Sequence, residues 1–149
     1  MRRRGHNPLL ERFVLNYSRL GEHSRMWFAL AGAGAVVDKP HGQAYRRLVR
    51  ALVAAELTNA VAKRVFRRKR PVLAGLPPLM GTRSNLSFPS AHACTSFAAA
   101  RILSGPMPPA TAYTMAVAMA ASRPYLGVHY PSDVAAGAIL GTVLVGLVP

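Results

Sequence analysis

Carboxylates are scarce in this chain: five Asp and Glu stand against nineteen Lys and Arg, a formal net charge of +14 over 149 residues. That shortage argues against a carboxylate-rich metal centre. Cysteine is rarer still. The single Cys94 excludes a disulfide framework, and its Ala-rich surroundings suit a small packing residue, saying nothing about redox compartment. Aromatic residues make up 7% and are not interleaved with the cations, which counts against a nucleic-acid partner despite a pI of 11.6. The start Met1-Arg2-Arg3-Arg4 resembles the basic opening of a signal peptide, yet no apolar core follows. Residues 5–26 contain Asn7, Glu11, Arg12, Arg19, Glu22 and Arg25, so no cleavage is expected. There is no internal repeat, and the length allows a single domain, 1–149, with no second module.

Hydrophobic residues, by contrast, account for 51% of the chain, with a mean hydropathy of +0.19. Apolar segments joined by basic loops predict an all-α, integral membrane helical bundle. Residues 1–24 form an interfacial segment in this reading. Leu9, Leu10, Phe13, Val14, Tyr17 and Leu20 recur at helical spacing opposite Glu11, Arg12 and Arg19, which describes an amphipathic helix lying in the interface. Five membrane helices are expected after it: Met26 to Val37, about Gln43 to Val65, Ser90 to Ser104, Ala110 to Ser122, and Ser132 to Val148. Pro40, Gly42, Gly105 to Pro109 and Pro131 punctuate them. Three of them would be only about 20 Å long at 1.5 Å per residue, against roughly 30 Å of hydrocarbon. Their ends must then sit in a sunken or water-filled pocket. Frequent small residues, Gly137 and Gly141 among them, let short helices approach closely.

An up-down path brings the ends of four successive segments to one face. Lys63 and Arg70 close one segment, Ser90 and His92 open the next, Arg123 ends the third, and His129 and Asp133 open the last. Ionisable groups gathered at such a level predict a functional site. Three fixed cations, Lys63, Arg70 and Arg123, suit the oxygens of a transferring phosphoryl group. A helix opening at Ser90 adds backbone N–H groups, the helix dipole and a hydroxyl for the same anion. Two histidines can divide acid and base work, with Asp133, one turn beyond His129, holding an imidazole tautomer. A metal at His129 or Asp133 is not expected, because the only other carboxylates near that face are Glu11 and Glu22. Arg64, Arg67, Arg68 and Lys69 read as anchors for anionic lipid or as topology signals.

These residues carry a resemblance. Lys63 with Arg70-Pro71, then Pro89-Ser90-Ala91-His92, then Ser122-Arg123 with His129 and Asp133 follow in order and spacing the three motifs of the type 2 phosphatidic acid phosphatase family. The chain thus resembles a membrane lipid phosphatase across residues 63–133. The resemblance implies a bundle without metal or other cofactor. His129 would attack phosphorus, Asp133 would orient it, and His92 would protonate the leaving oxygen. A phosphohistidine would then be hydrolysed, while Lys63, Arg70, Ser90, Ala91 and Arg123 surround the phosphate. Ala91 stands where the family usually has Gly.

Counted with an interfacial first helix, fourteen cations lie on the catalytic face and five elsewhere. The positive-inside rule then turns the active site toward the cytoplasm of a bacterial plasma membrane. Pro71 to Phe88 is a long connection bearing Val72, Leu73, Leu76, Leu79 and Met80, expected to act as a lid or lateral lipid gate. The expected substrate is a lipid or polyprenyl phosphate. A cytoplasmic site and an Arg- and Ala-rich composition point first to a polyprenyl-phosphoryl phosphosugar, the decaprenyl phosphoribose phosphate of cell-wall arabinan synthesis. Phosphatidylglycerophosphate, phosphatidic acid and polyprenyl diphosphate are alternatives, as is a catalytically silent subunit that binds anionic lipid. The sequence is open to a homo-oligomer or to a complex with a membrane prenyltransferase.

Overall fold

The structure, a computed structural model, describes residues 7–72, 77–82 and 84–149. Six α-helices account for most of them: α1 (Pro8–Leu20), α2 (Arg25–Val37), α3 (Gly42–Phe66), α4 (Ala91–Leu103), α5 (Pro109–Tyr125) and α6 (Pro131–Leu144). Short 3₁₀ turns follow α1, α2 and α6. Local chemistry sets these bounds. Asn7 caps α1, its side-chain oxygen accepting from the N–H of Leu9 and Leu10 at 3.0 and 3.2 Å, with Pro8 preset for the first helical position. α3 stops at Arg67, which takes the left-handed conformation at φ 49°. Pro109 and Pro131 open α5 and α6.

α4 is the axis of the bundle, packed against α3, α5 and α6. It can be enclosed because its buried residues are small: Ala93, Cys94, Ser96, Ala98, Ala99 and Ala100. Cys94 is thus the packing residue its surroundings predicted. α6 crosses α4 backbone to backbone, since a methyl at Gly141 would lie 1.9 Å from the Cys94 carbonyl oxygen and one at Gly137 2.4 Å from that of Ser90. Small residues four apart provide this close approach. Around the far half of α4, Trp27, Leu48, Leu52 and Leu103 form the core. The Trp27 indole N–H donates to the Ser96 hydroxyl at 3.0 Å, so its one polar atom is satisfied where it is fully buried.

The end of the bundle remote from the motifs explains several other cations. Arg47 donates to the carbonyls of Val148 and Val145 at 2.9 and 2.7 Å, and Arg101 donates to that of Thr142 at 2.5 Å. These are the orphan carbonyls of a helix C-terminus, which cations satisfy.

All five segments expected to cross a membrane form helices, but crossing does not follow from their dimensions. Among the described residues, no helix is long and apolar enough to cross a membrane. α2 and α4, at thirteen residues, extend about 20 Å. α3 has the length, at twenty-five residues, but carries Arg46, Arg47, Arg50, Glu56, Lys63 and Arg64. Of the expected lid, Leu73 and Leu76 lie outside the described residues. Its described flanks pair antiparallel, with Ser87 N–H donating to the Arg68 carbonyl at 2.8 Å and Arg70 N–H to that of Asn85 at 3.1 Å.

Candidate active site

The up-down path does gather the motif residues at one end. A cavity of about 170 Å³ opens there, walled by Lys63 at the end of α3, Arg70, Ala91 and His92 at the start of α4, Arg123 at the end of α5, and His129. Glu22, His23 and Glu56 line another side; Met80, Gly81, Thr82 and Ser84 reach it from the long connection.

His129 lies in the turn between α5 and α6, 3% exposed. That turn is tied down by hydrogen bonds from Leu126 N–H to the Ser122 carbonyl at 2.9 Å and from Val128 N–H to that of Arg123 at 3.2 Å. Gly127 permits it by taking φ 76°. Burial, then the charges of Arg70, Arg123 and Lys63, hold the His129 imidazole down to about 2, so the ring is neutral at any working pH. Its Nδ1 lies 3.4 Å from Asp133 Oδ2, and its Nε2 lies 3.2 Å from Arg70 Nη1. A guanidinium can only donate and a carboxylate can only accept. The neutral ring therefore carries its hydrogen on Nδ1, toward Asp133, and its lone pair on Nε2, on the cavity side. That is the tautomer an attacking imidazole needs.

Asp133 is fully buried at the third position of α6. It is fixed by the Tyr130 N–H donating to Oδ2 at 2.9 Å and by Arg68 Nη1 donating to Oδ1 at 3.0 Å. Arg68 also donates to the Ser132 hydroxyl and lies over the Tyr130 ring, 4.1 Å from its centroid. The sequence reading placed Arg68 among lipid anchors. The structure instead gives it to the carboxylate behind His129, and nothing in a run of four basic residues distinguishes it from its neighbours.

Arg70 is held by the Ser84 and Val128 carbonyls, accepting from Nε at 2.7 Å and Nη1 at 2.6 Å. Arg123 is 3% exposed and donates to the Ser18 hydroxyl of α1 and to Met80 Sδ at 3.3 Å. His92 Nε2 faces the Ser18 carbonyl at 3.3 Å. Ser18 is thus a site neighbour that sequence reasoning missed; its one legible signal, a polar residue next to the apolar stripe of α1, is shared with Asn16 and Arg19.

Ser90 differs from the others in placement. It caps α4, its hydroxyl accepting from the Ala93 N–H at 3.4 Å and its own N–H donating to the Asp133 carbonyl at 3.0 Å. It is fully buried behind the cavity wall, and Ala91 and His92 stand in front of it. Helix geometry leaves the first N–H groups of α4 without intrahelical acceptors, so this wall offers an anion amide donors and a positive dipole end. Among the described residues, no group of three or more His, Cys, Asp or Glu side chains is placed to hold a metal ion.

The arrangement can bind a dianion among fixed cations, present it with a neutral, oriented imidazole, and offer a second imidazole for proton transfer. Comparison with known proteins points the same way. Residues 44–149 match the PAP2 superfamily. A decaprenylphosphoryl-5-phosphoribose phosphatase of Mycolicibacterium smegmatis is 41% identical over 120 residues, 80% of this chain and 67% of that protein. A protein of the same name from Mycobacterium tuberculosis is 38% identical over 136 residues, 88% of this chain and 74% of its own. In fold, the chain is similar to LpxE of Aquifex aeolicus, with a TM-score of 0.81 at 24% identity, covering 96% of this chain and 87% of that one. It is also similar to a transmembrane PAP2 type phosphatidylglycerolphosphate phosphatase from Bacillus subtilis, with a TM-score of 0.76 at 27% identity over 95% and 76% of the two chains.

Proposed function

The chain belongs to the PAP2 superfamily and is a phosphatase, and from that premise we propose that it removes a phosphomonoester from a lipid-linked substrate by way of a phosphohistidine. The observation that carries the mechanism is His129, buried and neutral, with its lone pair on the ring nitrogen that faces Arg70 in the cavity.

In the first step the His129 Nε2 lone pair forms a bond to phosphorus while the bond from phosphorus to the ester oxygen breaks. His92, which burial and then the charge of Arg123 hold down to about 3, becomes cationic as the phosphate dianion enters beside it and delivers the proton that the leaving oxygen requires. The ring of His129 becomes cationic, and the Asp133 carboxylate beside Nδ1 stabilises that charge. Arg70, Arg123, Lys63 and the N-terminal amides of α4 hold the nonbridging oxygens, where charge is carried through the transition state. In the second step His92, now unprotonated, takes a proton from water. The water oxygen bonds to phosphorus, the P–N bond breaks, and inorganic phosphate and neutral His129 are restored.

The preferred substrate is decaprenyl phosphoribose phosphate. Supporting it are two relatives so named that share 41% and 38% identity with this chain over most of its length. Phosphatidylglycerophosphate is the second reading, favoured by the name of the Bacillus subtilis relative. The protein acts from within a bacterial plasma membrane in this proposal, its site toward the cytoplasm. Large apolar side chains exposed on α1, α3, α5 and α6, including Phe13, Leu57, Val61, Val117 and Ile139, fit an apolar surrounding. The sunken cavity admits a phosphate whose tail stays in lipid.

The test is inorganic phosphate released by wild-type and His129→Ala protein from decaprenyl phosphoribose phosphate, phosphatidylglycerophosphate, phosphatidic acid and a polyprenyl diphosphate. Release that needs His129 and is fastest from the first lipid is expected. Release that survives in the folded variant would end the phosphohistidine mechanism. Its absence with every lipid would leave a silent anionic-lipid-binding subunit.

A further inference from the structure

α1 precedes the region that matches the family, residues 44–149, yet its last turn reaches into the catalytic end of the bundle. Its outer side carries the exposed Leu9, Phe13 and Leu20. On its inner side Tyr17 anchors it to α5, the phenol donating to the Met115 carbonyl at 2.8 Å. Ser18 comes next, with no exposed surface at all.

A buried hydroxyl is costly unless its hydrogen-bonding capacity is used. Here one lone pair accepts from Arg123 Nη1, and the hydroxyl hydrogen points to Met80 Sδ at 3.9 Å. The main-chain carbonyl of the same residue faces His92 Nε2 at 3.3 Å. A carbonyl only accepts, so Nε2 carries a hydrogen and the other ring nitrogen is the one whose protonation changes. Ser18 therefore touches two groups of the proposed mechanism that come from different helices: a phosphate-binding guanidinium on α5 and the proton donor on α4. Arg123 needs such a support. It is itself 3% exposed, its Nε has no hydrogen-bond partner among the described residues, and the carboxylate that acts on it, Glu22, does so from beyond ion-pair distance. Gly21, one turn on, makes the approach close enough. A methyl at that position would lie 2.7 Å from His92 Cδ2 and 2.5 Å from Met119 Sδ.

We infer that Ser18 is a positioning residue of the active site, holding Arg123 through its hydroxyl and His92 through its carbonyl, and that α1 is thereby part of the catalytic unit. The inference rests on the phosphatase reading above. It assigns to the hydroxyl one role, keeping the Arg123 fork turned so that its remaining N–H groups meet the phosphate oxygens. Removal of the hydroxyl should cost what a misplaced ligand costs, roughly tenfold to a hundredfold in kcat/KM, without loss of the fold.

A double-mutant cycle tests it, on the full-length protein in detergent, with Ser18→Ala, Arg123→Ala and the two combined. Two readouts are taken: turnover of the best lipid of the panel, and affinity for orthovanadate by calorimetry, which needs no turnover. Ser18→Ala should remain folded with a melting temperature only a few degrees below wild type, lower kcat/KM by roughly ten- to a hundredfold and weaken vanadate binding. In the Arg123→Ala background the same change should have almost no further effect, because the group it acts through is gone. An exposed neighbour on the same helix, Arg19→Ala, should behave as wild type. Ser18→Ala within twofold of wild type in both readouts would overturn the inference. So would losses that add in full to those of Arg123→Ala, since that marks a packing effect independent of the guanidinium. Failure of the phosphatase reading is a separate result: wild-type protein inactive on every lipid, with the vanadate cycle still deciding the role of Ser18.

Discussion

Asp133→Asn isolates the charge behind His129 with the least change of shape. The carboxylate lies 3.4 Å from His129 Nδ1 and is fully buried, while its two oxygens also accept from Tyr130 N–H and Arg68. An amide oxygen in the Oδ2 position keeps the Tyr130 cap and still faces the Nδ1 hydrogen, so the fold and the tautomer survive. The amide NH₂ then meets Arg68, which is 40% exposed and can turn to water. What is lost is a negative charge next to the cation that the proposed attack creates on His129. At 3.4 Å that interaction is about 5 kcal/mol at an effective dielectric near 20 and about 1 kcal/mol in water. The middle of that range, about 3 kcal/mol, is roughly a hundredfold in kcat. KM should change little, because Asp133 stands behind the nucleophile. The assay is phosphate release over a range of lipid concentration, with the melting temperature measured on the same preparations. Arg68→Ala, which leaves the charge and loosens only its support, should lose less than tenfold. A folded Asp133→Asn protein with kcat within threefold of wild type would refute the assigned role of the carboxylate.

Three further outcomes follow from the same geometry. Gly141→Ala sets a methyl against the Cys94 backbone, which cannot move aside, so thermal unfolding should show a loss of at least about 3 kcal/mol; a melting temperature like that of wild type would contradict the backbone contact. His129 is held at about 2 in the native state against an ordinary 6.5, so the unfolded chain takes up a proton that the native state refuses. Stability from this group is complete above pH 6.5 and should fall on acidification by up to about 1.4 kcal/mol per pH unit, measured by denaturation at pH 7, 6 and 5. His129→Asn should flatten that slope; identical slopes would contradict the burial assigned to the ring. Millimolar EDTA should leave phosphate release intact, while vanadate, placed among Lys63, Arg70 and Arg123, should inhibit it; loss of activity with chelator would overturn the proposed chemistry.

Much of this site is written in the order of the chain. Pro40 and Gly42, the Gly105 to Pro109 stretch and Pro131 mark the helix ends closely enough that the up-down path alone brings Lys63, Arg70, His92, Arg123 and His129 together. Ser90 was equally legible as a helix opening, but its depth depends on how α6 sits against α4, which the Asp133 carbonyl decides. Arg68 and Ser18 carry no signal of their own. One is a cation in a basic run, selected by the direction the chain takes after Arg67 turns left-handed. The other is a serine in an amphipathic helix, selected by the angle at which that helix meets α5. Hydropathy spoke for the membrane, while the observed lengths of α2 and α4 fall short of a bilayer core, because average apolarity does not measure how far a helix extends.

Arg70 has a consequence that phosphate binding does not require. Its Nη1 lies against His129 Nε2 at 3.2 Å and donates to the Val128 carbonyl at 2.6 Å, while its Nε donates to the Ser84 carbonyl at 2.7 Å. One guanidinium thus fastens the turn that carries His129 to the end of the long connection, so that a substitution in either stretch of chain is transmitted to the other.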